Sequence, residues 1–264
     1  MKKTHLIILA ILIIGLVACN KNQINVKSRE ESSQINTESF DESSLSSQVI
    51  QYEQGSEQGF DYEVVNDQIK IIKCVDYNNS AIIIPEEIVG KPVKIIGVDA
   101  FHNHKAVSVK LPQGLTIIED GAFYSCDLLK EITIPESVIQ IGEGEFFRCP
   151  SLTKITVDKK NQKYSDVDGV LFNKDVTELI SYPEGKKTQS YVMPNSVEKI
   201  AKDAFGYYCE NLKKLTILSN VTEFPDYNIF NAYAINYFTM KVESDSAAEQ
   251  YAKKYELKYE IIKK

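Results

Sequence analysis

The middle of this chain repeats itself. Cut at a recurring proline, it yields IIIPEEIVGKPVKIIGVDAFHNHKAV, VKLPQGLTIIEDGAFYSCDLL, ITIPESVIQIGEGEFFRCPSL and YVMPNSVEKIAKDAFGYYCENL, with the same features in the same order. Such a repeat limits the fold more tightly than any local propensity. Pro85, Pro112, Pro135 and Pro194 end one short apolar strand, and Ile96, Ile118, Ile141 and Ile200 end a second. Phe101, Phe123, Phe146 and Phe205 each follow five residues later, at successive intervals of 22, 23 and 59 residues, the last leaving room for extra coils. A unit with two short strands and one bulky aromatic cannot enclose a core of its own, so units must stack on one another. The expected outcome is a solenoid. Alternation in Ile132-Thr133-Ile134 turns both Ile side chains inward and Thr133 outward, and Pro135 stops the strand because it has no ladder N–H to donate.

The pattern Leu, Ile-x-Ile-Pro, Val-x-x-Ile-Gly, Ala-Phe, then Cys and Leu resembles the BspA-type leucine-rich repeats of bacterial surface proteins. The resemblance covers residues ~60 to 262, including an opening unit (IPEEIVGKPVKIIGVDAF), a longer coil (NQKYSDVDGVLFNKDVTELISYPEGK) and a closing segment (SDSAAEQYAKKYELKYEII). It implies a mainly β, right-handed leucine-rich-repeat solenoid of short stacked strands, capped at both ends and closed by a short C-terminal helix. Ser246 and Glu249 form an S-x-x-E capping box for that helix, and Leu257 to Ile262 alternates as a final strand. Three departures stand out: Glu145 replaces the Ala before Phe146, Ala201 replaces the Gly after Ile200, and the Ile-Pro signal is lost near Leu218.

The N-terminus has a different character. MKKTHLIILAILIIGLVA places Lys2 and Lys3 before an unbroken apolar run of thirteen residues, Leu6 to Ala18. That reads as a secretory signal peptide over residues 1–18, because crossing ~30 Å of hydrocarbon takes about 20 residues. Leu16-Val17-Ala18-Cys19 resembles the lipobox of bacterial lipoproteins, which implies diacylation of Cys19 and its exposure as the mature N-terminus. Each buried acyl CH₂ contributes roughly 0.8 kcal/mol, and one chain gives only marginal binding, so two or three chains would anchor durably. Residues 19–59, with SREESSQINTESFDESSLSSQ, are too polar to offset the entropy of ordering and read as a tether. The folded domain is expected over residues 60–264.

Charge excludes one partner class. Removing residues 1–18 takes away two lysines and no acids, moving the formal charge from −7 to −9. Lysines alternate with Glu and Asp along most of the chain, so the basic patch of a nucleic-acid binder is missing and none is expected as a partner.

Residues able to do chemistry are sparse. Beyond the leader only His102 and His104 remain, both in one repeat loop, and no nucleophile-elbow sequence accompanies them. His104 lies three residues after Phe101, the offset of Cys126 from Phe123 and of Cys149 from Phe146. Stacking would align the three in a column. It would be either a metal or thiolate site or a buried slot that accepts Cys or His, as the family pattern implies. Cys74, Cys126, Cys149 and Cys209 are even in number, as two disulfides would require. A ladder whose spacing is set by the sheet does not supply S–S geometry, and free buried thiols are the expectation. Asp166-Val167-Asp168-Gly169 reads as a turn, since the ordered ligands of a calcium loop do not continue. No cofactor or metal is expected.

Nine of fifteen tyrosines lie from Tyr191 onward, including Tyr207, Tyr208, Tyr227, Tyr233 and Tyr237; they suit either an interface or the core of a cap. The candidate ligand face is the set of outward strand positions: Lys110, Thr133, Thr156 and Thr216, flanked by Glu131, Lys154 and Lys214. The resemblance implies a non-enzymatic adhesion module that binds a protein or other macromolecular surface ligand. Its partners would be that ligand and the membrane, through lipid on Cys19, placing the chain outside the cytoplasm on the cell membrane or cell surface. The rival readings are a structural envelope scaffold and an extracytoplasmic enzyme, the latter needing convergent titratable groups.

Overall fold

The computed structural model describes residues 53–206, 208–230 and 238–262. The signal peptide, Cys19 and nearly all of the tether lie outside the described residues, as do Tyr207, Tyr233 and Tyr237.

The first described strand, β1 (Glu53–Glu57), falls inside the segment read as tether, so regular structure begins before residue 60. Its composition hides it: EQGSE is almost wholly exposed and carries no apolar alternation. It forms by pairing antiparallel with β2 (Phe60–Val65), which pairs antiparallel with β3 (Gln68–Cys74). A Cβ on Gly55 would come within 2.4 Å of the Tyr62 hydroxyl, whose ring lies over it. This meander covers the open end of the stack.

From here the repeat takes over. In chain order come β4 (Ala81–Ile83), β5 (Glu87–Ile88), β6 (Lys91–Ile96), β7 (Ser108–Lys110), β8 (Ile117–Ile118), β9 (Glu131–Ile134), β10 (Gln140–Ile141) and β11 (Lys154–Val157). One strand of each unit joins a parallel ladder β4-β7-β9-β11, and the other joins β3-β6-β8-β10. Pro85, Pro112 and Pro135 follow β4, β7 and β9, and Ile96, Ile118 and Ile141 close β6, β8 and β10, as the spacing predicts. After each of these Ile residues the next N–H reaches back one coil: Gly97 to Ile71 O, Glu119 to Ile96 O and Gly142 to Ile118 O, at 2.7, 2.9 and 2.8 Å. At Gly142 a Cβ would lie 2.3 Å from Asp120 Oδ1, which explains the glycine.

The long Phe interval contains an antiparallel meander: β12 (Tyr164–Val167), β13 (Val170–Asn173) and β14 (Glu178–Ser181). Asp168 and Gly169, with φ of 53° and 75°, make the two-residue turn between β12 and β13. Parallel stacking resumes with β15 (Ser190–Val192), β16 (Lys199–Ile200), β17 (Lys214–Ile217) and β18 (Thr239–Val242). Helix α1 (Ala247–Lys254) and β19 (Tyr259–Ile261) close the chain, with β15-β17-β18-β19 as the last ladder. The described residues form a β-solenoid of about eight turns with one short helix.

An aromatic spine runs through the core in two stretches, one in each hydrophobic cluster. Phe101 stacks on Phe123 at 4.9 Å and Phe123 on Phe146 at 5.7 Å between ring centroids. Past the meander, Tyr182, Phe205 and Phe230 follow at 5.3 and 5.2 Å. Burying one such side chain contributes roughly 1.5–3 kcal/mol. The spine is what the periodic phenylalanines encode. Phe230 in the spine also fixes the register of the coil that lacks its Ile-Pro signal.

At eight residues α1 is too short to be stable alone; Ala248, Tyr251 and Ala252 hold it against the core. Half of the expected capping box forms as written, with Glu249 N–H donating to Ser246 Oγ at 3.1 Å. The reciprocal bond is displaced by one residue: Glu249 Oε2 accepts from the Asp245 N–H at 2.7 Å, while the Ser246 N–H turns to Glu243 O.

Candidate functional site

The outward strand residues do not make one ladder. Lys110, Glu131, Thr133, Lys154 and Thr156 share the sheet β4-β7-β9-β11, whereas Lys214 and Thr216 lie on β17 in a separate sheet. In the first sheet the register puts Glu131 between Ser108 and Lys154, and sets Thr133 beside Thr156. Lys110 is the cross-strand partner of Ile83, an isoleucine 69% exposed. In the second sheet Lys214 sits between Ser190 and Thr239, and Thr216 between Val192 and Lys241. Val192 is 60% exposed. Lys110, Glu131, Thr133, Lys154 and Lys214 are exposed, while Thr156 and Thr216 are half-buried. Between them Val109, Ile132, Ile155 and Leu215 are buried, which fixes the outward direction of the row.

The interruption has a backbone cause. The turn of the β12–β13 hairpin docks on the edge of β11, where Gly169 O accepts from the Ile155 N–H at 2.9 Å. A Cβ on Gly169 would meet the Lys154 side chain at 2.7 Å. Lys186 ion-pairs with Asp168 at 3.0 Å and holds the turn in place. Nothing in the spacing of the repeats announced this docking, because the bond from Ile155 to Gly169 is made by main chain.

The column of Cys and His residues is buried and each member is hydrogen-bonded within the fold. Cys126 Sγ donates to Phe101 O at 3.1 Å, and Cys149 Sγ donates to Phe123 O at 3.2 Å, each bridging to the coil before. His104 Nδ1 accepts from the Ala106 N–H at 3.1 Å, so Nε2 carries the proton and donates to Asp76 O, also at 3.1 Å. Cys74 Sγ lies 3.4 Å from that same Nε2, a neighbour absent from the sequence alignment of the column. Burial pushes the Cys74 thiol up to about 11 and lowers the imidazole pKa. Neither group ionises at neutral pH, and a proton already on Nε2 cannot be replaced by one from the thiol. The side chain of Cys126, together with burial, raises the Cys149 thiol as well. All four described cysteines are free, and among the described residues no group of His, Cys, Asp and Glu is placed to hold a metal ion.

The tyrosines divide. Tyr191 and Tyr251 are buried, and Tyr255 and Tyr259 pack on the core near α1. Tyr251 Oη accepts from the Ile229 N–H at 2.9 Å and donates to Tyr227 O at 2.6 Å. Tyr208 and Tyr227 keep exposed surface, but Tyr227 Oη is engaged with both Asp203 Oδ1 and the Asp203 N–H at 2.7 Å. Of the described tyrosines, Tyr251, Tyr255 and Tyr259 pack in the core around α1. A second aromatic stack that the sequence reading missed runs one residue after the spine: His102 meets Tyr124 at 5.0 Å and Tyr124 stacks on Phe147 at 6.0 Å. The signal for it was the ring following Phe101, Phe123 and Phe146 in each unit.

The model for the BspA type leucine rich repeat region matches residues 76–182 and 181–259, in six copies. The chain belongs to the BspA-type leucine-rich repeat family. Solved structures similar to this repeat protein include a leucine rich cell surface protein from Faecalibacterium prausnitzii, at 17% identity over 72% of this chain and 76% of the other, with a TM-score of 0.41. A leucine-rich repeat protein from Eubacterium ventriosum is 15% identical over 71% of each chain, with a TM-score of 0.45. The T. pallidum leucine rich repeat protein is 18% identical over 79% of this chain and 98% of the other, with a TM-score of 0.37. No curated protein matches the chain. Among the described residues of this BspA-type chain, no helix is long and apolar enough to cross a membrane.

Proposed function

We propose that this BspA-type chain is a non-enzymatic binding module, held outside the cytoplasm by lipid on Cys19, that engages a macromolecular surface through its β4-β7-β9-β11 face. The observation that carries the reading is the register of that face, where Glu131 is bracketed by Ser108 and Lys154 and Thr133 lies beside Thr156 above a buried aliphatic row. Short, regularly spaced side chains on a backbone fixed by stacking form a rigid platform, so a partner binds without ordering it first. Charges of both signs at its edge would set register and orientation more than affinity. Lys214 and Thr216, cut off by the hairpin, form a second and smaller patch in this reading. Membership of the BspA-type repeat family supports a location outside the cytoplasm.

Two experiments test it. An unbiased screen of the full-length chain against immobilised host and envelope macromolecules should recover a ligand whose capture Thr133→Glu abolishes; capture unaffected by that change removes this face from the binding reading. For the anchor, fatty-acid labelling of the wild-type chain should disappear in Cys19→Ser. Label persisting in that variant overturns the assignment.

A further inference from the structure

Where the two halves of the solenoid meet, the ladder β3-β6-β8-β10 stops. On its far side β10 meets the Tyr164 hydroxyl, which accepts from the Ile141 N–H at 2.8 Å. The meander β12-β13-β14 takes over from there, and an open cleft of about 810 Å³ lies between β10 and the strands β14 and β16. We propose that this cleft is a second binding site, distinct from the strand face, that receives an organic cation, an ammonium or guanidinium head on an apolar stem, with the Glu145 carboxylate as its acceptor.

Glu145 carries the argument. It occupies the position held by Ala100, Ala122 and Ala204 before Phe101, Phe123 and Phe205. Its backbone does the same work as theirs: Phe123 N–H donates to Glu145 O at 2.9 Å, as Phe101 N–H does to Ala122 O at 2.8 Å. The fold therefore needs a residue here but not a carboxyl. Yet Glu145 lines the cleft, is only 3% exposed, and its Oε1 has no hydrogen-bond partner among the described residues. A buried acceptor without a donor costs about 1–3 kcal/mol, which a ligand supplying the donor would recover.

The walls specify that ligand. Ile139, Ile141, Ile180 and Phe224 supply apolar surface along the cleft, matching the methylene stem of a Lys or Arg side chain or of a polyamine. The lysines there are largely neutralised, Lys199 by Glu178 at 2.7 Å and Lys202 by Glu143 at 2.9 Å. Asp120, Glu223 and Asp226 add negative charge to the lining, against Lys163. An anion finds an unfavourable field, and a cation a favourable one. Desolvation, with Asp203 and Asp120 adding to it, pushes Glu145 up to about 8, so a bound cation would also restore its ionised form.

The test follows isoleucine methyl signals of the full-length chain during titration with spermidine, with acetyl-Gly-Arg-Gly-amide, and with the citrulline version of that peptide. Shifts at Ile141 and Ile180 with either cation, none with citrulline, and an unmoved Ile83 on the strand face are expected. Spermidine alone would assign a free polyamine as the source, and the arginine peptide alone a protein partner. Glu145→Ala, which restores the residue of the other coils, should weaken cation binding by about ten-fold or more, and the near-isosteric Glu145→Gln should do the same if the alanine chain is poorly folded. No response to either cation, an equal response to the citrulline peptide, or unchanged affinity in both variants overturns the proposal. None of these outcomes touches the strand-face reading.

Discussion

The ring of Tyr182 stacks on that of Phe205 at 5.3 Å, and the Tyr182 N–H donates to Ala204 O at 2.7 Å, the bond that Phe101 makes to Ala122 O in an ordinary coil. Tyr182 is thus the spine residue of the coil whose phenylalanine is missing from the periodic pattern. It precedes Phe205 by 23 residues, the interval from Phe123 to Phe146. Its hydroxyl is buried with no hydrogen-bond partner among the described residues. Tyr182→Phe is expected to stabilise the fold by about 1 kcal/mol by removing that unsatisfied group, and Tyr182→Ala to cost about 3–5 kcal/mol. Denaturant midpoints measured at constant slope decide both.

Phe123 is sandwiched in the spine, 4.9 Å from Phe101 and 5.7 Å from Phe146, and is fully buried. Phe123→Ala should cost about 3–5 kcal/mol. Because each coil is stabilised chiefly by its neighbours, the loss should reach the coils of Phe101 and Phe146. Hydrogen exchange should show faster opening at Ile96 and Ile141 on either side. A midpoint equal to wild type would mean that Phe123 is not in the spine.

Glu145 links stability to pH in the direction opposite to most carboxylates. Burial raises its pKa from 4.5 to about 8 in the fold, so the native state favours the protonated form. The associated stability is present in full below the unfolded pKa and is lost as pH rises toward 8. Wild type should lose on the order of 3–5 kcal/mol from this group between pH 4.5 and pH 8. Glu145→Ala should remove that dependence and be the more stable chain at pH 8. Parallel urea titrations at the two pH values measure it; identical pH profiles for the two chains would show the carboxyl to be solvated.

What the sequence disclosed follows from what produces periodicity. Spine aromatics, strand-ending prolines and the isoleucines that close each second strand recur because every coil solves the same packing problem, so Phe101, Phe123, Phe146 and Phe205 were legible together. Tyr182 was not, because the hairpin ahead of it stretches the spacing and its ring carries a hydroxyl. β1 was invisible because an exposed edge strand with polar side chains owes its conformation to the partner and not to a pattern. The outward row was legible residue by residue through alternation, while its division in two was not, since Gly169 O and the Ile155 N–H are main-chain groups with no signature. Glu145 was visible as a departure from the repeat, but only the break beside β10 shows the cleft it lines.

Binding through the β4-β7-β9-β11 face should depend on its threonines and be indifferent to the cysteines. Cys126 and Cys149 are buried and bridge to Phe101 O and Phe123 O inside the stack, so Cys126→Ala and Cys149→Ala each lose a weak hydrogen bond and a little packing. A cost of about 1–2 kcal/mol is expected, with ligand recognition unchanged in the folded fraction. Thr133 is exposed, and Glu placed there adds like charge beside Glu131 at little cost to folding. Adding Thr156→Glu puts two carboxylates directly opposite across β9 and β11, a further penalty of about 0.2–1 kcal/mol, so the single Thr133→Glu is the cleaner probe. Each variant is titrated with the ligand from the screen at a temperature where circular dichroism shows it folded. Binding lost in the cysteine variants and kept in Thr133→Glu would move recognition from the strand face to the buried column.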